Sequence, residues 1–173
     1  MAELSQRQFF LPLVGVIFIY RQVASGRLGN YSGAMASQTL LIHAPLPSVF
    51  RILADVESYP SWMDGVNEIQ VMRIDVDGRP IELTMALEGM GFRDTLTLAY
   101  QWGENHVSWT LISASMVTKL HGTFRLEQQG DDTLVDYQLD ADINVAIPGF
   151  MKQAGIANIV KATVQNLKAR CEQ

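Results

Sequence analysis

Three histidines are the residues whose chemistry is best suited to neutral pH, because an imidazole exchanges its proton in that range. His43 ends a predicted strand, His106 lies at a turn, and His121 alternates with apolar neighbours and so faces solvent. We interpret all three as surface or turn residues. The sequence contains no HExxH, CxxC, P-loop, GxGxxG or GxSxG pattern, so it predicts no metal site and no cofactor.

Asp94 is the weak candidate for acid–base catalysis. It shares strand parity with Leu96 and Leu98, which places it on the inner face near a strand end. Burial there would raise the pKa of its carboxyl group and let it exchange a proton with a substrate. The simpler interpretation is an exposed strand-end residue or an ion-pair partner of Arg93 or Arg73, because buried carboxylates are rare. We predict no other catalytic residue.

The elements that position these side chains begin with a strand and two short helices. The pattern predicts a strand at Gln38–His43 and a helix at Ser48–Val56. The proline at position 60 disfavours helix in the residue before it, so the helix ends and a second helical turn is predicted at Ser61–Gly65. Short turns join the six strand candidates that follow, which predicts antiparallel hairpins. These candidates are Val66–Asp75, Ile81–Gly89, Phe92–Gln101, His106–Ala114, Thr118–Gln128 and Thr133–Asn144.

A long helix from Pro148 to about Cys171 ends the chain, and Lys152 is predicted to lie outside its apolar stripe. The predicted class is α+β, with a seven-stranded curved antiparallel sheet wrapped around the long C-terminal helix. One helix cannot fill such a sheet, so we expect an internal hollow, although core packing explains each aromatic residue equally well. The predicted lining residues are Tyr59, Trp62, Met85, Leu87, Leu98, Tyr100, Trp109, Phe124, Tyr137, Ile156, Val160 and Thr163.

Composition limits the partners. Apolar residues make up 48% of the 173 residues and charged residues 18%, which excludes intrinsic disorder. The net charge of −5 argues against nucleic acid, whose phosphates require a basic surface. The single cysteine, Cys171, cannot form an internal disulfide. We expect a hydrophobic small molecule as the partner and predict no oligomeric state.

Residues 1–35 differ in composition from residues 36–173. We predict that residues 36–173 are the ligand-binding domain. The 12 residues of Phe9–Tyr20 are uncharged, but a bilayer-spanning helix needs about 20. We expect an extension that is not part of the fold, in a cytoplasmic protein. The alternatives are weak membrane-surface contact through residues 9–20, or an export signal.

Several strings resemble the START-like, birch-pollen-allergen-like (SRPBCC) superfamily and imply its helix-grip fold. They are ILADVESYPSWMDGV (Ile52–Val66), VSWTL (Val107–Leu111), LHGTFRLEQQGDDTLVDYQL (Leu120–Leu139) and VAIPGFMKQ (Val145–Gln153). They are most similar to bacterial members labelled polyketide cyclase/dehydrase or lipid-transport proteins. DVESYP (Asp55–Pro60) is also similar to coenzyme Q-binding relatives.

The resemblance implies that a lipid, isoprenoid or polyketide-like molecule binds in the internal cavity. A polyketide cyclase/aromatase-type enzyme is the alternative, because this superfamily carries unrelated functions on one scaffold. A ligand-free interaction module is the second alternative, and it would require a filled interior.

Overall fold

Seven antiparallel strands form one sheet in the computed structural model, which describes residues 33–89 and 92–173. The strands are β1 (Ala34–Ile42), β2 (Val66–Ile74), β3 (Pro80–Gly89), β4 (Phe92–Trp102), β5 (His106–Ser113), β6 (Val117–Gln129) and β7 (Asp132–Ile143). Strands β2 to β7 pair in chain order, and β1 returns to pair with β7. The predicted seven-stranded antiparallel sheet is therefore confirmed.

The helices are α1 (Leu46–Ala54), a 3₁₀ helix (Val56–Ser61) and α2 (Gly149–Cys171). Helix α2 packs chiefly against β1 and β7, and its inner side buries Val160, Val164 and Leu167. The sheet curves around this helix without closing. The arrangement is the α+β helix-grip fold, as predicted.

The first strand begins four residues before the predicted start at Gln38. Ala34 pairs with Ala141 on β7 and is only 2% exposed. Small residues such as Ala34 and Ala36 carry little hydrophobic contrast, so strand alternation is weak in the sequence at this point. Pairing with β7 therefore extends β1 beyond the segment that its own pattern identifies.

The second helical turn lies at Val56–Ser61 rather than at the predicted Ser61–Gly65. Pro60 is inside this turn, and its fixed φ is compatible with 3₁₀ geometry. The hydroxyls of Ser58 and Ser61 donate to the carbonyl oxygens of Asp55 and Ser58, at 2.8 and 2.6 Å. These local hydrogen bonds favour the earlier position.

The predicted apolar run at residues 9–20 lies outside the described residues, as does most of the predicted extension. Within residues 33–89 and 92–173, no helix is long and apolar enough to cross a membrane.

Candidate functional site

A cavity of about 240 Å³ lies between the inner face of the sheet and α2. It is slightly smaller than the roughly 300–1,000 Å³ typical of drug-sized ligand sites. Nine of the twelve predicted lining residues border it: Tyr59, Met85, Leu87, Leu98, Tyr100, Trp109, Tyr137, Ile156 and Thr163.

The other three predicted lining residues do not border the cavity. Trp62 packs edge-on against Tyr59, with ring centroids 5.0 Å apart. Phe124 is 1% exposed and stacks on Tyr137 at 4.2 Å. Val160 is buried on α2 without bordering the cavity. Strand parity places Phe124 on the inner face of β6, but parity does not distinguish a residue that borders a cavity from one that packs beneath its lining.

An aromatic wall crosses β4 to β7, and we define it by Tyr100, Trp109, Phe124 and Tyr137. The indole of Trp109 lies 5.6 Å from the ring of Tyr100 and 5.9 Å from that of Tyr137, with planes tilted by 18° and 28°. Gly122 is paired with Trp109 across β5 and β6. A Cβ atom at Gly122 would lie 2.2 Å from Trp109 Cζ2, so the glycine allows the indole to lie against β6.

Three tyrosines border the cavity, and their hydroxyls differ in hydrogen bonding. Tyr59 donates to the carbonyl oxygen of Leu53 at 2.6 Å. The hydroxyls of Tyr100 and Tyr137 have no hydrogen-bond partner among the described residues. Burial raises the pKa of all three phenols above the usual value, and the neighbouring phenols add to this effect at Tyr59 and Tyr100. The hydroxyls therefore stay protonated and can donate hydrogen bonds.

An ion pair between the buried Lys152 and the half-buried Asp142 borders the cavity beside the first turns of α2. Lys152 is 5% exposed, and its Nζ donates to the Asp142 carboxylate and, at 3.0 Å, to the carbonyl oxygen of Ile143. The hydrogen bond from Lys152 lowers the pKa of Asp142, against the effect of its burial. The prediction that Lys152 lies outside the stripe was wrong. Its spacing of four from Ile156 places it on the lining side of α2, and this was the signal in the sequence.

The mouth of the cavity is marked by lining residues that remain exposed. Asp64 and Gly65 follow the 3₁₀ helix, Glu88 and Gly89 end β3, and Ile159 lies on α2 with 42% of its surface exposed. Gly65 adopts a φ of 83°, which favours glycine, and its carbonyl oxygen accepts the Glu88 backbone N–H at 2.8 Å. This bond ties the two sides of the mouth together.

Asp94 is inside the fold, but it does not border the cavity. Its carboxylate accepts backbone N–H bonds from Thr95, Ser115, Met116 and Val117 at 2.7 to 2.9 Å. Burial alone would raise its pKa, but these four donors outweigh burial and lower it. This lowered pKa is opposite to the raised pKa that made Asp94 a catalytic candidate. The carboxylate instead holds the glycine-free connection between β5 and β6 in place through these hydrogen bonds.

The ion-pair interpretation of Asp94 was also wrong. Arg93 pairs with Glu88 at 2.7 Å, and Arg73 pairs with Glu82 at 3.3 Å. Both pairs lie on the surface.

The three histidines are exposed, and none of them borders the cavity. Nδ1 of His43 lies 3.0 Å from Asp132 Oδ2 on the outside of the fold. The described residues contain no group of three or more His, Cys, Asp or Glu side chains arranged to hold a metal ion.

The family described as polyketide cyclase / dehydrase and lipid transport matches residues 34–172. Among solved structures, a START superfamily protein from Mycobacterium smegmatis is 26% identical with a TM-score of 0.76, covering 82% of this chain and 99% of that chain. No curated protein matches the sequence.

Two more distant structures share the fold. The Zhui aromatase/cyclase from Streptomyces sp. R1128 is 14% identical with a TM-score of 0.68, covering 82% of this chain and 94% of that one. The major latex-like protein 151 of Panax ginseng is 11% identical with a TM-score of 0.59, covering 82% and 99%. At these identities the likeness concerns the fold alone.

Proposed function

The chain belongs to the START-like family of polyketide cyclase/dehydrase and lipid-transport proteins, and we propose that it binds and carries a hydrophobic small molecule in the cavity. A lipid, an isoprenoid or a polyketide-like compound has the required chemistry. The observation that carries the proposal is the cavity itself, an apolar space of about 240 Å³ under a well-packed sheet. A domain that only needed to fold would gain stability by filling it.

The energetic basis of binding is removal of apolar ligand surface from water. Each 100 Å² transferred contributes about 2.5 kcal/mol, before the costs of lost ligand freedom are subtracted. Because the mouth is bordered by exposed residues on three elements, a ligand could enter with little rearrangement of the sheet. Sequestration therefore requires no reacting group.

The polyketide cyclase/aromatase-type enzyme is the alternative. Family membership supports it, and the Zhui aromatase/cyclase shares the fold. However, the raised pKa of Tyr100 and Tyr137 prevents these phenols from acting as bases near neutral pH. Asp142 forms an ion pair with Lys152, so its carboxylate is not available as a catalytic base. The geometry thus supports binding better than proton transfer.

The test combines ligand identification with a spectroscopic reporter. Native mass spectrometry of the purified protein, followed by organic extraction, should reveal a co-purifying apolar molecule. Adding that molecule to stripped protein should quench or shift tryptophan emission, and Trp109→Phe should abolish the response because Trp109 borders the cavity. Trp62 and Trp102 serve as internal controls, since neither borders it.

A filling variant tests the location of the site. Thr163 is 5% exposed and borders the cavity, so Thr163→Phe should weaken binding about tenfold or more while the domain stays folded. Gln165→Phe, on the exposed side of the same helix, is the matched control and should bind normally. A strongly destabilised Thr163→Phe protein with an unresponsive Trp109 would instead indicate a solid core and a ligand-free interaction module.

A further inference from the structure

The cavity contains polar groups that the fold itself does not use. Among the described residues, no hydrogen bond is made by the hydroxyls of Tyr100, Tyr137 and Thr163 or by the indole N–H of Trp109. Each of these residues is at most 9% exposed, and all four border the cavity. In the rest of the described fold, buried side-chain polar atoms have partners.

These groups must therefore border open space. A polar atom fully enclosed without a partner would cost about 1–3 kcal/mol, and no such atom is present among the described residues. Because Tyr100 and Tyr137 are 4% exposed, the space that their hydroxyls reach is the cavity. Tyr59 differs from them, because its hydroxyl donates a hydrogen bond to the Leu53 carbonyl oxygen.

Three of these four donors are grouped on one wall of the sheet, and the fourth, Thr163, lies on α2. Tyr100 is paired with Trp109 across β4 and β5, and Tyr137 stacks against the same indole from β7. The three side chains thus form a continuous aromatic surface that carries three hydrogen-bond donors, two phenol hydroxyls and one indole N–H. Their hydroxyls stay protonated because burial disfavours phenolate, so each can donate a hydrogen bond to an acceptor atom of a ligand.

We propose that Tyr100 and Tyr137 form a polar anchor that selects, among apolar molecules of suitable size, those with an acceptor oxygen on a ring, such as a ring ketone. This inference rests on the proposed function and specifies its ligand chemistry. The ring follows from the aromatic wall, because rings associate favourably in offset or edge-to-face geometry. The oxygen follows from donors that would otherwise lose their hydrogen bonds to water when an apolar ligand displaces it.

The test uses two probes with the same bicyclic skeleton, 1-tetralone and tetralin, which differ in one ketone oxygen. Calorimetric titration gives the dissociation constant of each probe. For the wild-type chain, we expect tetralone to bind more tightly than tetralin. Tyr100→Phe and Tyr137→Phe should each reduce this preference by about threefold to tenfold, the effect of one hydrogen bond, and the double variant should abolish it.

The affinity for tetralin is the internal control for folding. It should be unchanged or slightly improved in the Phe variants, because the rings and their stacking remain. Ser108→Ala removes a hydroxyl from the outer face of β5, beside Trp109 but away from the cavity. This variant should leave the preference for tetralone intact. If losing any hydroxyl near this wall reduced the preference, Ser108→Ala would reduce it too.

The outcomes separate the two proposals. If both probes bind wild-type protein equally well, or if the preference survives in the double variant, the anchor is refuted while the apolar cavity stands. If neither probe binds wild-type protein at millimolar concentration, both proposals fail. A preference that disappears only in the Tyr100 and Tyr137 variants, with tetralin binding retained, supports the anchor.

Discussion

Replacing Gly122 by alanine should displace Trp109 and thereby shrink the cavity. The new Cβ atom would lie 2.2, 2.3 and 2.7 Å from Cζ2, Cε2 and Nε1 of Trp109. Carbon atoms pack comfortably at about 3.5 Å or more, so the indole must retreat by more than about 1 Å. The backbone is not the obstacle, because Gly122 is not among the glycines with positive φ.

The direction of the retreat follows from what surrounds the indole. Tyr100 and Tyr137 stack beside it and Phe124 tilts against it at 5.7 Å, so sideways movement is blocked. The open direction is the cavity. Because the rigid ring moves into empty space rather than into packed atoms, the cost should fall in the ordinary overpacking range of about 1–3 kcal/mol. A fully enclosed indole would cost more.

Two measurements check this expectation. Urea denaturation should show a loss of about 1–3 kcal/mol in the free energy of unfolding, and tryptophan emission of the folded protein should shift. Binding of an apolar probe should weaken, since the indole occupies part of the 240 Å³. Gly149→Ala is the matched control, because a Cβ there meets nothing within 4 Å. If Gly122→Ala matches wild type in stability, emission and binding, the proposed contact of Trp109 with β6 is refuted.

Asp94→Asn should lower the free energy of unfolding at pH 7 by about 2–3 kcal/mol in urea titrations, because a charged acceptor of four backbone N–H bonds is lost. The pKa of Asp94 is lower in the folded than in the unfolded protein. Its contribution to the free energy of unfolding is therefore complete above the unfolded pKa of about 3.9 and is lost as the pH falls through the folded pKa. If the stability of wild type and of the Asn variant fell identically with acid, this expectation would be contradicted. Asp142→Asn should lower the free energy of unfolding by about 3 kcal/mol, because it removes the counter-charge of the buried Lys152. Lys152→Met should lower it less, because the Asp142 side chain that it leaves unpaired is 23% exposed. Equal losses of stability in thermal melts would refute this asymmetry. Deleting residues 1–32 leaves β1 intact from Ala34 and should change the melting temperature by no more than a degree or two in calorimetry, whereas a larger fall would show that the extension supports the fold.

Local periodicity in the sequence determined most of the architecture. Strand alternation identified the inner faces of β3, β6 and β7, because side chains on successive residues point to opposite sides whatever the partner strand. Helical spacing located α2, and turn residues separated most hairpins. The nine predicted residues that border the cavity lie on elements that these periodicities identify. Lys152 also lay on the lining side by spacing, but its charge favoured the solvent-exposed interpretation.

Properties that depend on pairing between distant segments were decided only by the tertiary structure. The aromatic wall requires the register that places Tyr100 opposite Trp109 and Phe124 opposite Tyr137, and a slip of one residue would turn a strand's side chains to the other face. The donors that lower the pKa of Asp94 include Ser115 and Val117, more than 20 positions away along the chain. Sequence parity places a side chain inside the fold, but its protonation state and its access to the cavity depend on neighbours that only the folded chain brings together.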